Sequence, residues 1–173
     1  MAQRPEGVRP LTVEDSIDIV DVPPEKRPEL DQILRESFDG WYLMHARKTI
    51  REIEAVRAAM SSGAPVGLIM LKSIEPGIGY IFYVAVARAH RGTGVARLLL
   101  NDALALYRSK GVTEVFASVE KDNLPSEKLF GAEGFDRTNL IEVSKRHGTL
   151  RAVNMYRMMV VVPGEILLHR SLG

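Results

Sequence analysis

The sequence predicts an α+β domain built on a single mixed sheet, mostly antiparallel, with helices on its flanks. Two apolar runs joined by a Pro-Gly turn, Gly63 to Lys72 and Gly77 to Ala87, predict a pair of antiparallel strands. Apolar residues at helical spacing follow in Val95 to Lys110. A strand-like run, Glu114 to Glu120, comes next. Strands, a helix and another strand in this order indicate one sheet of mixed direction.

The first third of the chain predicts two helices. A short strand is expected over Val8 to Val13, followed by a helix start at Glu14 to Ser16. The pattern of Ile17 to Val22 alternates and fits either a strand or a helix. Helical spacing of apolar residues then predicts helices over Glu29 to Phe38 and Trp41 to Ile50, separated by Asp39-Gly40.

The stretch from Glu52 to Met60 has the composition of a helix but the context of a strand. The turn-like Ser61-Ser62-Gly63 after it is typical of a hairpin. We therefore predict a strand from about Glu54 that pairs with the segment beginning near Pro65.

The last third predicts a helix and a closing hairpin. Asn123 caps a helix over Leu124 to Glu133. Phe135 to Ser144 and Thr149 to Val162 are expected to form the hairpin. The chain is thus predicted to be one domain, 1–173, with its core at about 8–162 and a tail at 163–173 that is either weakly structured or a short added element. The apolar strand expected over 155–162 either carries the contact of a homodimer or is wholly internal, and the sequence leaves both alternatives open.

Composition excludes several function classes. The net charge of +1 gives no electrostatic basis for binding nucleic acid or an anionic membrane surface. The chain has no cysteine, which removes disulfide and thiolate chemistry. No apolar run is long enough to span a membrane and no secretion signal is visible, so a cytoplasmic protein is expected. The four histidines lack metal-ligand spacing, so no metal is expected.

The most informative segment is a glycine-containing turn between a strand and a helix. Val84 and Val86 favour the strand, and Gly92 and Gly94 precede the helix that begins at Val95. Such a helix start presents unpaired N–H groups and a partial positive charge, which suit a phosphate. The third glycine of the dinucleotide fingerprint and the lysine of the triphosphate loop are both missing. A tight turn that binds no ligand can have the same sequence. This segment alone therefore leaves two interpretations open, a phosphate-binding turn and a turn without a ligand.

A second segment favours the phosphate interpretation. The two segments together resemble the GNAT superfamily of acyl-CoA N-acyltransferases. The first motif of that family, Gln/Arg-x-x-Gly-x-Gly/Ala, stands here as Arg91 to Ala96. The second, Asn-x-x-Ala/Ser-x-x-Leu-Tyr followed by Gly-Phe, stands here as Asn123, Ser126, Leu129, Phe130, Gly134 and Phe135. The resemblance implies that the sheet is splayed and that acetyl-CoA lies in the gap.

The resemblance also implies a set of site residues. The strand residues expected to pair with the pantetheine arm are Val84, Ala85 and Val86. The turn expected to hold the diphosphate consists of Arg91, Gly92, Thr93, Gly94, Val95, Ala96 and Arg97. Asn123 matches a side chain that commonly meets the cofactor. Acyl transfer is implied to pass directly from the thioester to a primary amine, through a tetrahedral intermediate held by a strand amide near Val86 and without a metal.

Two positions depart from the family pattern. Phe130 replaces the tyrosine that often protonates the leaving thiolate, and Ser118 replaces a glutamate that serves some members as base. Tyr83, on the strand beside the thioester, and Glu120, on the same strand face as Ser118, are the substitutes that we name. A half-buried strand aromatic and a solvated strand end are the respective alternatives.

Three hypotheses follow for the function. The first is an N-acetyltransferase that uses acetyl-CoA and an amine acceptor. The second, motivated by Phe130 and Ser118, is a CoA-binding regulatory or assembly module without turnover. The third is an interaction domain that binds no nucleotide.

Overall fold

The computed structural model describes residues 16–173, which form a seven-stranded sheet in the order β1-β2-β3-β4-β5-β7-β6. Neighbouring strands are antiparallel except β4 and β5, which are parallel. This confirms the predicted mixed, mostly antiparallel sheet. The strands are β1 (Ile17–Asp21), β2 (Ala55–Ser61), β3 (Ala64–Glu75), β4 (Ile78–Val86), β5 (Glu114–Glu120), β6 (Asp136–Thr138) and β7 (Glu165–Ser171).

Helices cover both faces of the sheet. A 3-10 helix at Pro24–Leu30 leads into the first of them. The α-helices are α1 (Asp31–Ser37), α2 (Gly40–Glu52), α3 (Val95–Ser109), α4 (Leu124–Ala132), α5 (Leu140–His147) and α6 (Thr149–Met159). Within residues 16–173 no helix is long and apolar enough to cross a membrane.

Alternating residues of β3 show how the two faces are filled. Ile69 and Leu71 pack with Leu99 of α3 on one face. Leu68 and Met70 pack on the opposite face with α1 and α2. A third cluster, with Met155 of α6 at its centre, continues that second face over β5 and β7. The period of two along the strand therefore sends successive side chains into separate cores.

The elements predicted for the first two thirds of the described chain are confirmed within a few residues. The segment 17–22, which fitted two structures, contains β1, and the contested segment 52–60 contains β2. The strand predicted at 8–13, and most of the helix start predicted at 14–16, lie outside the described residues.

Asp102 is a polar residue in the apolar pattern of α3. Its carboxylate accepts two hydrogen bonds from the guanidinium of Arg57, at 2.8 and 2.9 Å, and the two groups form an ion pair.

The predicted closing hairpin is wrong. Only Asp136–Thr138 of its first arm is a strand, and the remainder folds as α5 and α6. Asn139 caps α5 by accepting a hydrogen bond from the amide of Glu142 at 3.0 Å. In α6 the buried residues are Ala152, Met155 and Met159, which recur at the helical period.

The predicted tail, 163–173, is also wrong. It contains β7, which pairs with β5 on one side and β6 on the other and buries Leu167 and Leu168. The segment 155–162 is the end of α6 and the loop after it, so the strand expected to carry a homodimer contact does not exist. A homodimer as such stays a prediction of the sequence.

Candidate active site

A β-bulge in β4 opens the sheet. Met70 of β3 pairs with Tyr83, while the next residue, Leu71, pairs with Ile81, so Phe82 is an extra residue in β4. The bulge places two successive aromatic side chains, Phe82 and Tyr83, on the face covered by α1 and α2. Bulges bend a strand and re-aim its side chains, and here the bend coincides with the end of the parallel ladder.

Beyond the bulge, β4 and β5 diverge. Their ladder runs from Ile78 and Glu114 to Ile81 and Ala117 and then stops. Farther along, β4 pairs only with β3, and β5 pairs only with β7. A cleft of about 430 Å³ lies between the diverging strands, the loop between α1 and α2, and the start of α4. The splayed sheet implied by the family resemblance is thus confirmed, and its open strand edges can pair with an extended ligand.

The glycine turn follows β4 after a short 3-10 helix, Arg88–His90. Gly92 and Gly94 have φ values of 73° and 92°, a region that favours glycine. A Cβ added at either residue would meet no heavy atom within 4 Å. These glycines are therefore required by the backbone conformation and not by close packing, and the space beside the turn is open.

The start of α3 has unpaired backbone donors. Leu98 donates to the carbonyl of Gly94 at 3.1 Å and is the first amide of the helix with a backbone partner. Within the described part of the chain, the amides of Val95, Ala96 and Arg97 have none. Because these donors stand at the positive end of a 15-residue helix, they form an anion-binding position.

The basic side chains of the turn hold it against neighbouring helices. Arg91 donates to the carbonyl of Val86 at 3.2 Å and to that of Glu36, in α1, at 2.5 Å. Arg97 donates to Glu133 at 2.7 Å. These contacts fix the turn and leave its backbone amides free to donate.

Asn123 and the helix that it caps form one wall of the cleft. Its Oδ1 accepts a hydrogen bond from the amide of Ser126 at 3.2 Å, which confirms the predicted cap. Asn123, Ser126 and Phe130 all line the cleft. Phe130 is buried and packs edge-on against Phe135, with ring centroids 5.1 Å apart. The ring that replaces the tyrosine of the family motif is therefore held by packing and offers no proton.

Tyr83 and Glu120, the substitutes named from the sequence, both line this cleft. The hydroxyl of Tyr83 is 2.7 Å from Nδ1 of His45, a residue of α2. Burial raises the pKa of Tyr83, and the negative charge of Glu165 adds to the effect. Burial also lowers the pKa of His45, assisted by Lys48. Tyr83 therefore keeps its proton at neutral pH, and His45 is uncharged.

Glu165, at the start of β7, is a cleft residue that sequence reasoning missed. Its Oε2 accepts a hydrogen bond from Ser118 at 3.0 Å, and Ser118 is 2.7 Å from the hydroxyl of Tyr80. Its Oε1 is the acceptor of the Tyr42 hydroxyl at 3.4 Å. Burial, together with the charges of Glu165 and Glu120, raises the pKa of Tyr42 to about 12, so Tyr42 remains a donor.

Glu165 was missed because its segment was assigned to the tail. A signal was present in the sequence, since Pro163-Gly164 marks a turn and Ile166, Leu167 and Leu168 favour a strand. The pairing of that strand with β5 brings its first residue beside Ser118 and Glu120.

Among the remaining residues predicted to bind the cofactor, only some line the cleft. Val84 lines the cleft, whereas Ala85 points to the opposite face and is buried with α1 and α2. Neither Val86 nor any residue of the turn 91–97 lines the cleft.

Two of the other three histidines share a structural partner. His147 and His169 both contact Glu114, at 3.2 and 2.8 Å. In the part of the chain that the structure describes, no three His, Cys, Asp or Glu side chains are grouped so as to hold a metal ion.

Several solved structures share this fold over nearly the whole chain. One is a PaiA N-acetyltransferase from Thermoplasma acidophilum in complex with coenzyme A, with a TM-score of 0.68, 16% identity and coverage of 90% of this chain and 99% of that one. Another is the ribosomal-protein-S18-alanine N-acetyltransferase from Escherichia coli, with a TM-score of 0.69, 13% identity and coverage of 91% and 95%.

A third is an acetyltransferase of the GNAT family from Staphylococcus aureus, with a TM-score of 0.70, 11% identity and coverage of 91% and 100%. At these identities the likeness concerns the fold. No curated protein shows significant similarity to the chain.

The sequence itself decides the family. The family model described as Acetyltransferase (GNAT) family matches residues 22–135, which include both glycine-turn and asparagine motifs and most of the cleft. With the splayed strands and the open turn in place, this chain belongs to the GNAT family of acetyltransferases.

Proposed function

We propose that this acetyltransferase moves an acetyl group from acetyl-CoA directly to a primary amine. The observation that carries the proposal is the divergence of β4 from β5 beside a turn with unpaired amides. The pantetheine arm then pairs with the β4 edge at Val84, Ala85 and Val86, and the diphosphate binds the amides between Gly92 and Arg97. Asn123 contacts the cofactor from the opposite wall.

The shape of the site fits this cofactor. The open space beside Gly92 and Gly94 lets a phosphate approach the backbone closely. Among the described residues, the buried hydroxyl of Ser37 has no hydrogen-bond partner, and Ser37 lines the cleft.

The chain supplies groups for each stage of the transfer. A β4 amide near Val86 stabilises the oxyanion of the tetrahedral intermediate. Tyr83 keeps its proton at neutral pH. Its hydroxyl leaves Nδ1 of His45, contacts the sulfur instead and donates the proton to the leaving thiolate. Glu120, exposed and lining the cleft, is the second proposed catalytic group and attracts a cationic acceptor. A cytoplasmic location and a homodimer stay predictions of the sequence.

Calorimetric titration with acetyl-CoA tests the cofactor site through Gly94→Leu. Gly94 and Gly111 stand at opposite ends of α3, both have a positive φ, and neither meets a heavy atom that a Cβ would touch. The two Leu variants should therefore lose similar stability, about 1 kcal/mol. We expect acetyl-CoA affinity to fall at least about tenfold in Gly94→Leu and to be unchanged in Gly111→Leu.

Two outcomes would contradict the cofactor site. One is wild-type protein that does not bind acetyl-CoA at millimolar concentration, and the other is equal affinity in the two Leu variants.

A CoA-binding module without turnover is the second candidate, and the buried, unreactive ring of Phe130 favours it. Thiol release from acetyl-CoA, measured over a panel of alkyl amines, amino acids, polyamines and peptides, separates the two functions. Binding of acetyl-CoA without release above background for any amine would select the module.

A further inference from the structure

Resting on the proposed transfer reaction, we infer that Glu165 is the general base that deprotonates the acceptor amine. Ser118 stands where some family members have a glutamate on β5. The structure brings a carboxylate to the same place from another strand, because Oε2 of Glu165 lies 3.0 Å from Oγ of Ser118. This residue lies outside both sequence motifs of the family.

The two oxygens of Glu165 are in different situations. Oε2 accepts hydrogen bonds from Ser118 at 3.0 Å and from the amide of Val162 at 3.1 Å. Oε1 has one long contact, with the hydroxyl of Tyr42 at 3.4 Å. The first oxygen therefore fixes the carboxylate, and the second keeps capacity to accept a proton from a ligand in the cleft.

The groups that face Glu165 come from three elements. Tyr42 and His45 belong to α2, Tyr80 and Tyr83 to β4, and Ser118 and Glu120 to β5. Burial raises the pKa of all three tyrosines, so they remain protonated at neutral pH. Burial lowers the pKa of His45, and its Nδ1 is already paired with Tyr83.

Four carboxylates line the cleft. Glu36 accepts from the amide of Arg88 and from Gln32, and Asp39 is exposed before α2. The two carboxylates beside Ser118 are Glu120 and Glu165. The side chain of Glu120 is exposed and lies near the hydroxyl of Tyr42, whereas Glu165 is half-buried and held at two points. A general base must be positioned as well as basic, which favours Glu165.

The proton balance is complete without another reactant. An alkylammonium group has a pKa of about 10.4 and is almost entirely protonated at neutral pH. Glu165 takes one proton, and the neutral nitrogen forms a C–N bond to the thioester carbonyl. Collapse of the tetrahedral intermediate breaks the C–S bond. Tyr83 donates its proton to the departing sulfur and regains one from the nitrogen, and Glu165 releases its proton to water.

The test compares Glu165→Gln, Glu165→Asp and Glu120→Gln with the matched control Glu75→Gln. Glu75 is also a half-buried glutamate at a strand end, but it pairs with Arg151 and does not line the cleft. Acetyl-CoA affinity, measured by titration, shows that each variant is folded. For Glu165→Gln we expect unchanged acetyl-CoA affinity and a kcat/KM for an alkyl amine lower by about 10²- to 10³-fold near pH 7.

The pH profile distinguishes a base from a structural residue. Raising the pH deprotonates the amine in solution, so the deficit of Glu165→Gln should shrink steadily toward pH 10. Glu165→Asp should fall between the wild type and Glu165→Gln, Glu120→Gln should lose less than Glu165→Gln, and Glu75→Gln should match the wild type.

Three outcomes overturn the inference. They are activity of Glu165→Gln within about threefold of the wild type, a deficit that does not change with pH, and a larger loss in Glu120→Gln. Wild-type protein that binds acetyl-CoA but acetylates no amine overturns the transfer reaction itself, and the inference falls with it.

Discussion

Removing the hydroxyl of Tyr107 should destabilise the protein substantially, because this group closes an irregularity in the sheet. Lys72 lies between two register shifts in the pairing of β3 with β4. The hydroxyl of Tyr107 accepts from the amide of Lys72 at 3.2 Å and is within donating distance of the carbonyls of Lys72 and Tyr80, at 3.0 and 2.9 Å. A side chain of α3 thereby holds β3 and β4 together just before β4 leaves β5.

The magnitude follows from the groups left unpaired in Tyr107→Phe. Tyr107 is 2% exposed, so water does not readily replace its hydroxyl. One amide and one carbonyl lose their partner, and each buried unpaired group costs about 1–3 kcal/mol. We expect a loss of about 2–4 kcal/mol in the free energy of unfolding. With a urea slope of about 2 kcal/mol per M, the midpoint falls by about 1–2 M.

Urea unfolding followed by circular dichroism measures this loss. Tyr156→Phe is the matched control, since Tyr156 is half-buried and its hydroxyl makes no hydrogen bond within residues 16–173. The control should change stability by less than about 0.5 kcal/mol. A Tyr107→Phe variant within that same margin of the wild type would refute the role assigned to the hydroxyl.

Two further predictions concern α1 and the segment before it. The guanidinium groups of Arg47 and Arg35 lower the pKa of Asp31 from 3.8 to about 2, so their stabilising effect is present above about pH 4 and lost as the pH falls toward 2. The urea midpoint of Asp31→Asn should thus lie below that of the wild type near pH 6, with a gap that narrows toward pH 2; a constant gap would contradict this. Arg27 is buried and donates to the carbonyls of Val22, Ile50 and Ile53, so Arg27→Met should cost about 3 kcal/mol in urea unfolding. Arg51 is exposed, and Arg51→Met should lower the free energy of unfolding by less than about 0.5 kcal/mol. Equal losses in Arg27→Met and Arg51→Met would refute the stabilising role of the Arg27 hydrogen bonds.

The errors in the sequence analysis have a common physical cause. In the segments 135–144 and 149–162, some apolar residues alternate with polar ones as in a strand and others recur at helical spacing. Periodicity alone therefore does not separate strand from helix. The outcome was decided by tertiary packing. Val143 of α5 and Ala152 and Met155 of α6 all fill one cluster with Phe116 of β5.

The sequence by itself determined the features that depend on a few neighbouring residues. The positive φ values at Gly92 and Gly94, the start of α3 at Val95 and the cap of α4 by Asn123 all follow from local residue type. They sufficed to locate the glycine turn and to point to the family.

Tertiary structure alone decided which groups meet in the cleft. The bulge at Phe82, the contact of Tyr83 with His45 and the arrival of Glu165 beside Ser118 join residues up to 47 positions apart. Strand partners are selected by the burial of whole faces, and no local spacing encodes them. A carboxylate in the last strand therefore reached the site, although the segment that carries it was interpreted from the sequence as a tail.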